Sequence, residues 1–401
     1  MFYGWWVVWG TFALMAVCAG TAVYGVSVLL HAFVDEGRFD LGQASFAAGL
    51  FSIASGMVGV VVGRLLERVD IRLVMTGGVL IMASSLGLLP LVRDPLTLSC
   101  FFLAFGIGFG TAAIVPSTTI IARWFTRQRA SAMSIAATGN SVGAIVVTPV
   151  VVWLIASRGI DGASPWLAVL LLATSLPVIW GVLRSSPAAR GLEPLGGATE
   201  LDRATTPQAV AQAHARASRT RFFRLGLVAL ILAMGAHVGG QAHLFNLLME
   251  RGAGGELASA ALALMAGASV AARFPAVIAL ERMSPRGFMI VLMAIQALAL
   301  VGVGLAASPV ALAIGIAAYG ATIGSFMTGL SLLLVDAFGV AVYARLYGLA
   351  RVWLSLGVLL GPGLMGWLHQ HAGGYGPAYL AVAALSLAGA LTQWAAGPAP
   401  R

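Results

Sequence analysis

Two arginines, Arg273 and Arg351, stand inside long apolar runs of a chain that is otherwise almost free of internal charge. Holding a guanidinium at the centre of a hydrocarbon layer costs about 2.5–3.5 kcal/mol even on the gentler scales, so a cation kept there is expected to have a function. Arg273 lies ~24 Å from the outer end of its run and ~10 Å from the inner end at 1.5 Å per residue, too deep for an easy escape to water. Two readings stay open for it: an anion ligand facing a central cavity, or a structural partner of helix-end carbonyls. Arg351 is only about five residues into its run, where a side chain snorkelling to the interface and a second cavity cation are both compatible with the spacing.

No Asp or Glu falls well inside any apolar run: Asp35, Glu36, Glu250 and Glu256 stand at outer ends, and Glu67, Glu281 and Asp336 at inner ends. Exporters of cationic drugs and most proton-driven sugar symporters rely on a buried carboxylate to hold the cation or proton. A cavity with arginine and no acid is set up for an anion instead, and proton coupling would fall to a histidine or to the substrate's own charge. His237 and Gln241 share one helix face at i, i+4, whereas His243, Asn246 and Glu250 share another. The two histidines are therefore not expected to look into one space, and for either the plain alternative is a satisfied interhelical hydrogen bond. Thr21, Tyr24 and His31 form a stripe that could be a polar lining, with core packing an equal reading for Thr21. Asn140 is a further candidate contact, although beside Gly139-x-x-x-Gly143 it is more simply read as polar glue at a close helix crossing. There is no metal-ligand spacing, no phosphate-binding loop and no nucleophile elbow. Neither an enzyme nor a self-contained ATP-driven pump is expected, and no cofactor or metal.

The elements that must position these residues follow from composition. Of 401 residues, 60% are hydrophobic and 9% charged, against roughly 25% charged in soluble chains. Uncharged runs of membrane-spanning length recur throughout, so the expected class is all-α and polytopic. Twelve spans are predicted: Trp5–Ala32, Ala44–Val62, Leu73–Leu91, Leu96–Ala122, Ala130–Ala156, Pro165–Leu183, Phe223–Met249, Leu257–Leu280, Gly287–Ala307, Val310–Val335, Leu346–Gln370 and Tyr375–Trp394. The run from Trp5 reads as a retained first span, not a signal peptide. All 23 basic residues are arginine, and the predicted loops on one side carry 17 of them against 4 on the other. That asymmetry predicts both termini in the cytoplasm and accounts for the net charge of +9 without any nucleic-acid site. Three regions result: a six-helix bundle over 1–183, a polar linker over 184–222, and a second bundle over 223–401. Within the linker, Thr206 as cap and Pro207 at the first position predict a short surface helix up to Arg219. Cys18 and Cys100 lie in apolar runs and imply no disulfide.

An internal repeat ties the halves together. An offset of 214 superposes Leu66-Glu67-Arg68 on Leu280-Glu281-Arg282, Arg72 on Arg286, Phe105-Gly106 on Tyr319-Gly320, Gly110 on Gly324 and Gly143 on Gly357. Two parallel six-helix repeats are the layout of a transporter with its site near mid-membrane.

Gly63-Arg64-Leu65-Leu66-Glu67-Arg68-Val69-Asp70-Ile71-Arg72 resembles the cytoplasmic signature of the major facilitator superfamily, with Asp70 in place of the usual glycine, a change expected to weaken the turn. Within it, four features are similar to the bacterial monocarboxylate and oxalate/formate group. They are Tyr3-Gly4-Trp5-Trp6-Val7-Val8; Arg123-Trp124-Phe125 leading to Gly139-x-x-x-Gly143 and Pro149; His243-Leu244 with Glu250-Arg251-Gly252; and Arg273 ahead of Glu281-Arg282. The resemblance implies an anion-binding role for Arg273, a substrate or proton-coupling role for His243, and conformational gating by Glu67, Arg68, Arg72, Glu281 and Arg282; His237, read from its depth in the run alone, is a second candidate for proton coupling. The chain departs from the group in having no aspartate within Ala258–Leu264 and in carrying leucine at Leu354 where a lysine would fall. The expected function is secondary active transport of a small organic anion, a monocarboxylate first, by proton symport or anion exchange. An exporter of hydrophobic or drug-like compounds is the alternative. The expected setting is a bacterial inner membrane, with lipid, substrate and proton as partners and the monomer as the working unit.

Overall fold

The computed structural model describes residues 2–197, 207–253 and 255–399; the expected cap Thr206, together with Arg203 and Arg401 of the basic count, lies outside the described residues. Among the described residues the chain is helical throughout, with no strand and one isolated bridge, Phe125 to Leu195. The helices are α1 Gly4–Cys18, α2 Gly25–Asp35, α3 Leu41–Leu65, α4 Ile71–Gly87, α5 Pro95–Ala112, α6 Ile114–Trp124, α7 Arg129–Val142 and α8 Thr148–Pro177. They continue as α9 Pro207–Arg219, α10 Arg221–Glu250, α11 Gly255–Ala271, α12 Arg273–Arg282, α13 Pro285–Leu305, α14 Pro309–Ile323, α15 Phe326–Phe338, α16 Val340–His371 and α17 Tyr375–Ala395. Ten stretches are long and apolar enough to cross a membrane, and α4 adds a shorter apolar helix. The stretch Arg129–Val182 holds two crossings, because Gly159 turns the chain with φ +66. Twelve crossings follow, as the hydropathy pattern predicts.

Several crossings are interrupted, and proline explains most of the breaks. Pro116 has no amide hydrogen for the Ala112 carbonyl, and α5 gives way to α6 at Ala113. Pro275 does the same to Ala271, and α11 gives way to α12 at Ala272. Pro149 follows a wide π-turn at Gly143–Val147. The helix of the tenth crossing stops at Ile323 and resumes at Phe326 without any proline.

The described chain forms two compact units, Met1–Ala211 with Gly339–Val352, and Gln212–Phe338 with Trp353–Arg401. In the first, α5 packs on α3 with Gly106 against Phe51 and Gly110 against Ser55. In the second, α14 packs on α11 with Gly320 against Met265, and Gly324 lies against Ser269. Each pair maps onto its counterpart at the offset of 214, so the repeat read in the sequence is a repeat of contacts. Small residues permit this closeness between helices that gain nothing from mutual hydrophobic burial in lipid. Gly139 and Gly143 seat α7 against Phe12 and Ala16 of α1, the packing reading of that motif.

The first unit also fastens the start of the linker. Leu195 donates to the Trp124 carbonyl (2.9 Å) and accepts from Thr126 (2.9 Å) and Arg127 (2.7 Å). Trp124 Nε1 donates to the Arg184 carbonyl (2.8 Å), Tyr3 Oη donates to the Val182 carbonyl (2.7 Å), and the Arg190 guanidinium lies 3.8 Å from the Tyr3 ring centre. The Tyr3 and Arg123-Trp124-Phe125 motifs are thus a structural seat for the linker. Helix α9 forms over the predicted residues up to Arg219.

A Cβ on Gly143 would lie 2.9 Å from the Gly20 nitrogen and 3.0 Å from the Ala16 carbonyl carbon, whereas one on Gly181 would meet nothing within 4 Å. Gly143→Val is expected to lower thermal stability by about 1–3 kcal/mol, the range for overpacking, and Gly181→Ala to leave it unchanged. Equal melting temperatures for the two purified variants would contradict the packing.

Candidate functional site

The seventh to tenth crossings place the most unusual side chains of the second unit at two helix breaks. Arg273 is the first residue of α12, directly after the break that Pro275 causes. The tenth crossing is broken at Gly324 and Ser325. The arginine passes over Gly324: a Cβ there would stand 3.1 Å from Arg273 Nε and 3.0 Å from Ser269 Oγ. Glycine at 324 is what lets the half-buried guanidinium cross this face. Ser269 and Ser325 are both buried, and Ser325 Oγ has no hydrogen-bond partner among the described residues. Interrupted helices expose main-chain dipoles that a charged ligand can use, which is why such breaks accompany substrate sites in membrane carriers.

His237 is 5% exposed on α10, its ring packed against Tyr319 and Phe326 at centroid distances of 5.8 and 6.2 Å. Its Nδ1 has no hydrogen-bond partner among the described residues, and Tyr319 donates its hydroxyl to the His237 carbonyl. Gln296 of α13 is fully buried; its Nε2 donates to the Ala233 carbonyl (2.9 Å), one turn before His237, and its Oε1 is unpartnered among the described residues. Through Phe326 the His237 ring reaches the same break that Arg273 crosses. Gln296, Ser269, Gly324 and Ser325 are residues that sequence reasoning missed; the Gly110–Gly324 correspondence was the available signal.

His243 looks the other way, as its helical spacing predicts. Nε2 stands 3.1 Å from the Pro362 carbonyl, which can only accept, so Nε2 carries the proton and Nδ1 accepts from the Tyr375 hydroxyl at 3.0 Å. The ring therefore ties α10 to α16 and α17. Nearby, Glu250 pairs with His369 at 2.6 Å and accepts from the Tyr375 amide at 3.3 Å.

Most of the remaining candidates belong to the first unit. Thr21 is buried and donates to its own helix at the Val17 carbonyl (2.8 Å), whereas Tyr24 is 39% exposed. Asn140 and Arg351 are half-buried, and the Arg351 side chain starts beside Gly59. Glu67 is 9% exposed and forms an ion pair of 2.5 Å with Arg345, itself 14% exposed. Burial raises the Glu67 carboxyl above its ordinary value even though Arg345, Arg68 and Arg64 act to lower it. Asp70 holds φ −56, so the turn needs no glycine, and its side chain caps α4. It accepts from the Arg72 amide (2.8 Å), from the Arg72 guanidinium (3.2 and 3.0 Å) and from Ser185 Oγ (2.6 Å). The Arg72 hydrogen bonds lead in holding its carboxyl at about 2. The expected weakening by Asp70 is thus offset by a cap. In the second unit Glu281 and Arg282 are exposed at the end of α12, while Arg286 donates to the carbonyls of Gln393 (3.4 Å) and Trp394 (2.5 Å).

Residues 12–272 match the Major Facilitator Superfamily, and the chain belongs to that family of membrane transporters. It is 26% identical over 337 residues to "Monocarboxylate transporter 11" of Mus musculus, covering 79% of this chain and 70% of the relative. In fold it is similar to the human organic anion transporter MFSD10 (TETRAN), with TM-score 0.75, 18% identity, and 97% of this chain and 99% of the other covered. The fucose:proton symporter FucP of E. coli is similar at TM-score 0.72 and 16% identity, with 99% and 100% covered.

Because the Glu67 carboxyl is raised on folding, its contribution to stability is full below the ordinary carboxylate range and is lost as pH rises through the raised value. Glu67→Gln is therefore expected to remove a loss of stability that sets in as pH rises above the ordinary carboxylate range. Arg345→Gln, which strands the carboxylate, is expected to cost about 1–3 kcal/mol at neutral pH. Thermal melts across pH check both, and identical profiles for wild type and Glu67→Gln would contradict the assignment.

Proposed function

We propose that this chain is a secondary transporter that moves a small organic anion, a monocarboxylate first, across a bacterial inner membrane by alternating access. The observation that carries the reading is Arg273 at the α11–α12 break, lying over Gly324 at the α14–α15 break. At the offset of 214 the first repeat has Gly59 where the second has Arg273, so the cation is an addition to the repeat and not part of its scaffold. A guanidinium offers a carboxylate two parallel hydrogen bonds, and Ser325 Oγ is an available third donor. The names of the mouse relative and of the human structural neighbour are consistent with an anionic substrate.

In this reading Tyr24, Asn140 and Arg351 are the first unit's own candidate substrate contacts, while His243, its ring engaged by Pro362 and Tyr375 and turned away from Arg273, serves coupling. Coupling is by anion exchange, or by proton symport through His243 or His237. Protonating His243 would oblige Tyr375 to stop donating and start accepting, a change that links the proton to the contacts of α10 with α16 and α17. Glu67, Arg68, Arg72, Glu281 and Arg282 act as gates. The protein works as a monomer with both termini in the cytoplasm.

Reconstituted vesicles loaded with labelled small carboxylates test this. Arg273→Ala is expected to abolish saturable uptake, a loss of about 2–5 kcal/mol of binding for a desolvated pair, and Arg273→Lys to weaken it with some transport left. In the same assay His243→Ala is expected to abolish the pH dependence if coupling is by proton symport through this residue, or to leave transport untouched if it is by anion exchange. Wild-type carboxylate uptake by a folded Arg273→Ala protein, or proton-driven export of cationic dyes, would overturn the reading.

A further inference from the structure

Arginines elsewhere in the fold mostly have partners on the protein: Arg72 has Asp70, Arg345 has Glu67, and Arg251 and Arg286 have main-chain carbonyls. Four within nine residues do not. Arg216 and Arg219 end α9, Arg221 and Arg224 begin α10, all four are exposed, and none of their side chains makes a hydrogen bond or ion pair among the described residues. The sequence has no carboxylate between Asp202 and Glu250 that could serve them.

Local structure fixes where this charge points. Thr220 breaks the helix with ψ 146, caps α10 by accepting from the Phe223 amide (3.2 Å), and donates to the Ala217 carbonyl (2.7 Å). Phe222 and Phe223 are buried against Phe338, with ring centroids 6.0 and 6.1 Å away. Arg221 and Arg224 are therefore left on the outward side of the first turn of α10, and Arg216 and Arg219 on the exposed side of the last turn of α9. The apolar span begins within that same turn. Beside it ends α17, where Gln393 approaches Gly226 and the neighbouring Trp394 is 67% exposed, as a tryptophan is at a membrane interface.

We infer that Arg216, Arg219, Arg221 and Arg224 form a binding site for the phosphate head group of an anionic phospholipid in the leaflet on the linker side of the membrane. Four exposed like charges this close, with no carboxylate among them, set up a local positive potential that attracts an anion. The guanidinium fork suits a phosphate. The apolar span starting at once, with Trp394 beside it, selects a phosphate that carries acyl chains over one free in water. A basic loop that only sets topology would need the charges and not this placement.

The test uses the full-length purified protein and measures binding of phosphatidylglycerol, with phosphatidylcholine as the uncharged comparison. Juxtamembrane arginines contribute about 1 kcal/mol each, so each Arg→Gln change is expected to weaken phosphatidylglycerol binding about fivefold. Replacing all four by lysine, which keeps the charge and loses the fork, should weaken the binding less than replacing all four by glutamine, and raising salt from about 0.1 M to about 1 M should abolish it as the screening length falls from ~10 to ~3 Å. Arg216→Gln/Arg219→Gln, outside the span, serves as the variant least exposed to misfolding. Three results would overturn the inference: unchanged binding in that double variant, equal binding of both lipids by wild type, or displacement of the lipid by equimolar glycerol phosphate, which would mark a site for soluble anions.

Discussion

The free energy of taking a charge out of water is the constraint on which the placement of the buried and half-buried arginines depends. In hydrocarbon an ion without a partner costs several kcal/mol, and only another charge or a cluster of dipoles offsets it. The arginines follow that constraint. At the ends of the crossings, Arg38 pairs with Glu36 (2.6 Å) and Asp161 (2.9 Å), Arg93 shares Asp161 (2.6 Å), and Arg251 is held by the Gly304 carbonyl (2.6 Å). Arg123 likewise donates to the Leu66 carbonyl (2.9 Å) and Arg129 to those of Phe125 and Ala122. Arg273 is placed differently, deep in its crossing and over a break in a neighbouring helix.

The same constraint acts on the backbone. A helix satisfies its own polar groups, so a crossing can be interrupted only where something else takes up the freed carbonyls and amides. Proline creates such interruptions in the fourth and eighth crossings, and both sit where glycines bring a neighbouring helix into contact. The glycine contacts repeat between halves at a fixed offset, which makes the scaffold symmetric. Function needs asymmetry, because a carrier built of two like bundles must still place one kind of charge in one place. The substitution of Arg273 for the glycine of the first repeat is the clearest departure from that symmetry.

Much of the fold was legible in the sequence, since span length follows from the thickness of a bilayer and the 214-residue offset from helices that pack through the same small residues in each half. The opposed faces of His237 and His243 were legible too, from helical periodicity alone. The breaks were less so. Pro116 and Pro275 signal theirs, but the break at Gly324 and Ser325 has no proline, and a glycine beside a serine in an apolar run reads as helix packing. Ser269, Ser325 and Gln296 were missed for that reason: short polar residues can bond within their own helix, and only the fold shows which fail to. The Tyr3 and Trp124 motifs carried the resemblance and yet serve to seat the linker, which no spacing rule reveals.

The central claim is that the Arg273 guanidinium is the charge to which the substrate binds. It is tested most directly by determining a structure of the protein with a bromine-labelled small carboxylate and locating the bromine by its anomalous scattering. The account predicts the label in the second unit, with both carboxylate oxygens within hydrogen-bond distance of Arg273 and the Ser325 hydroxyl beside them. A well-ordered label elsewhere, with Arg273 turned to main-chain carbonyls, would contradict it.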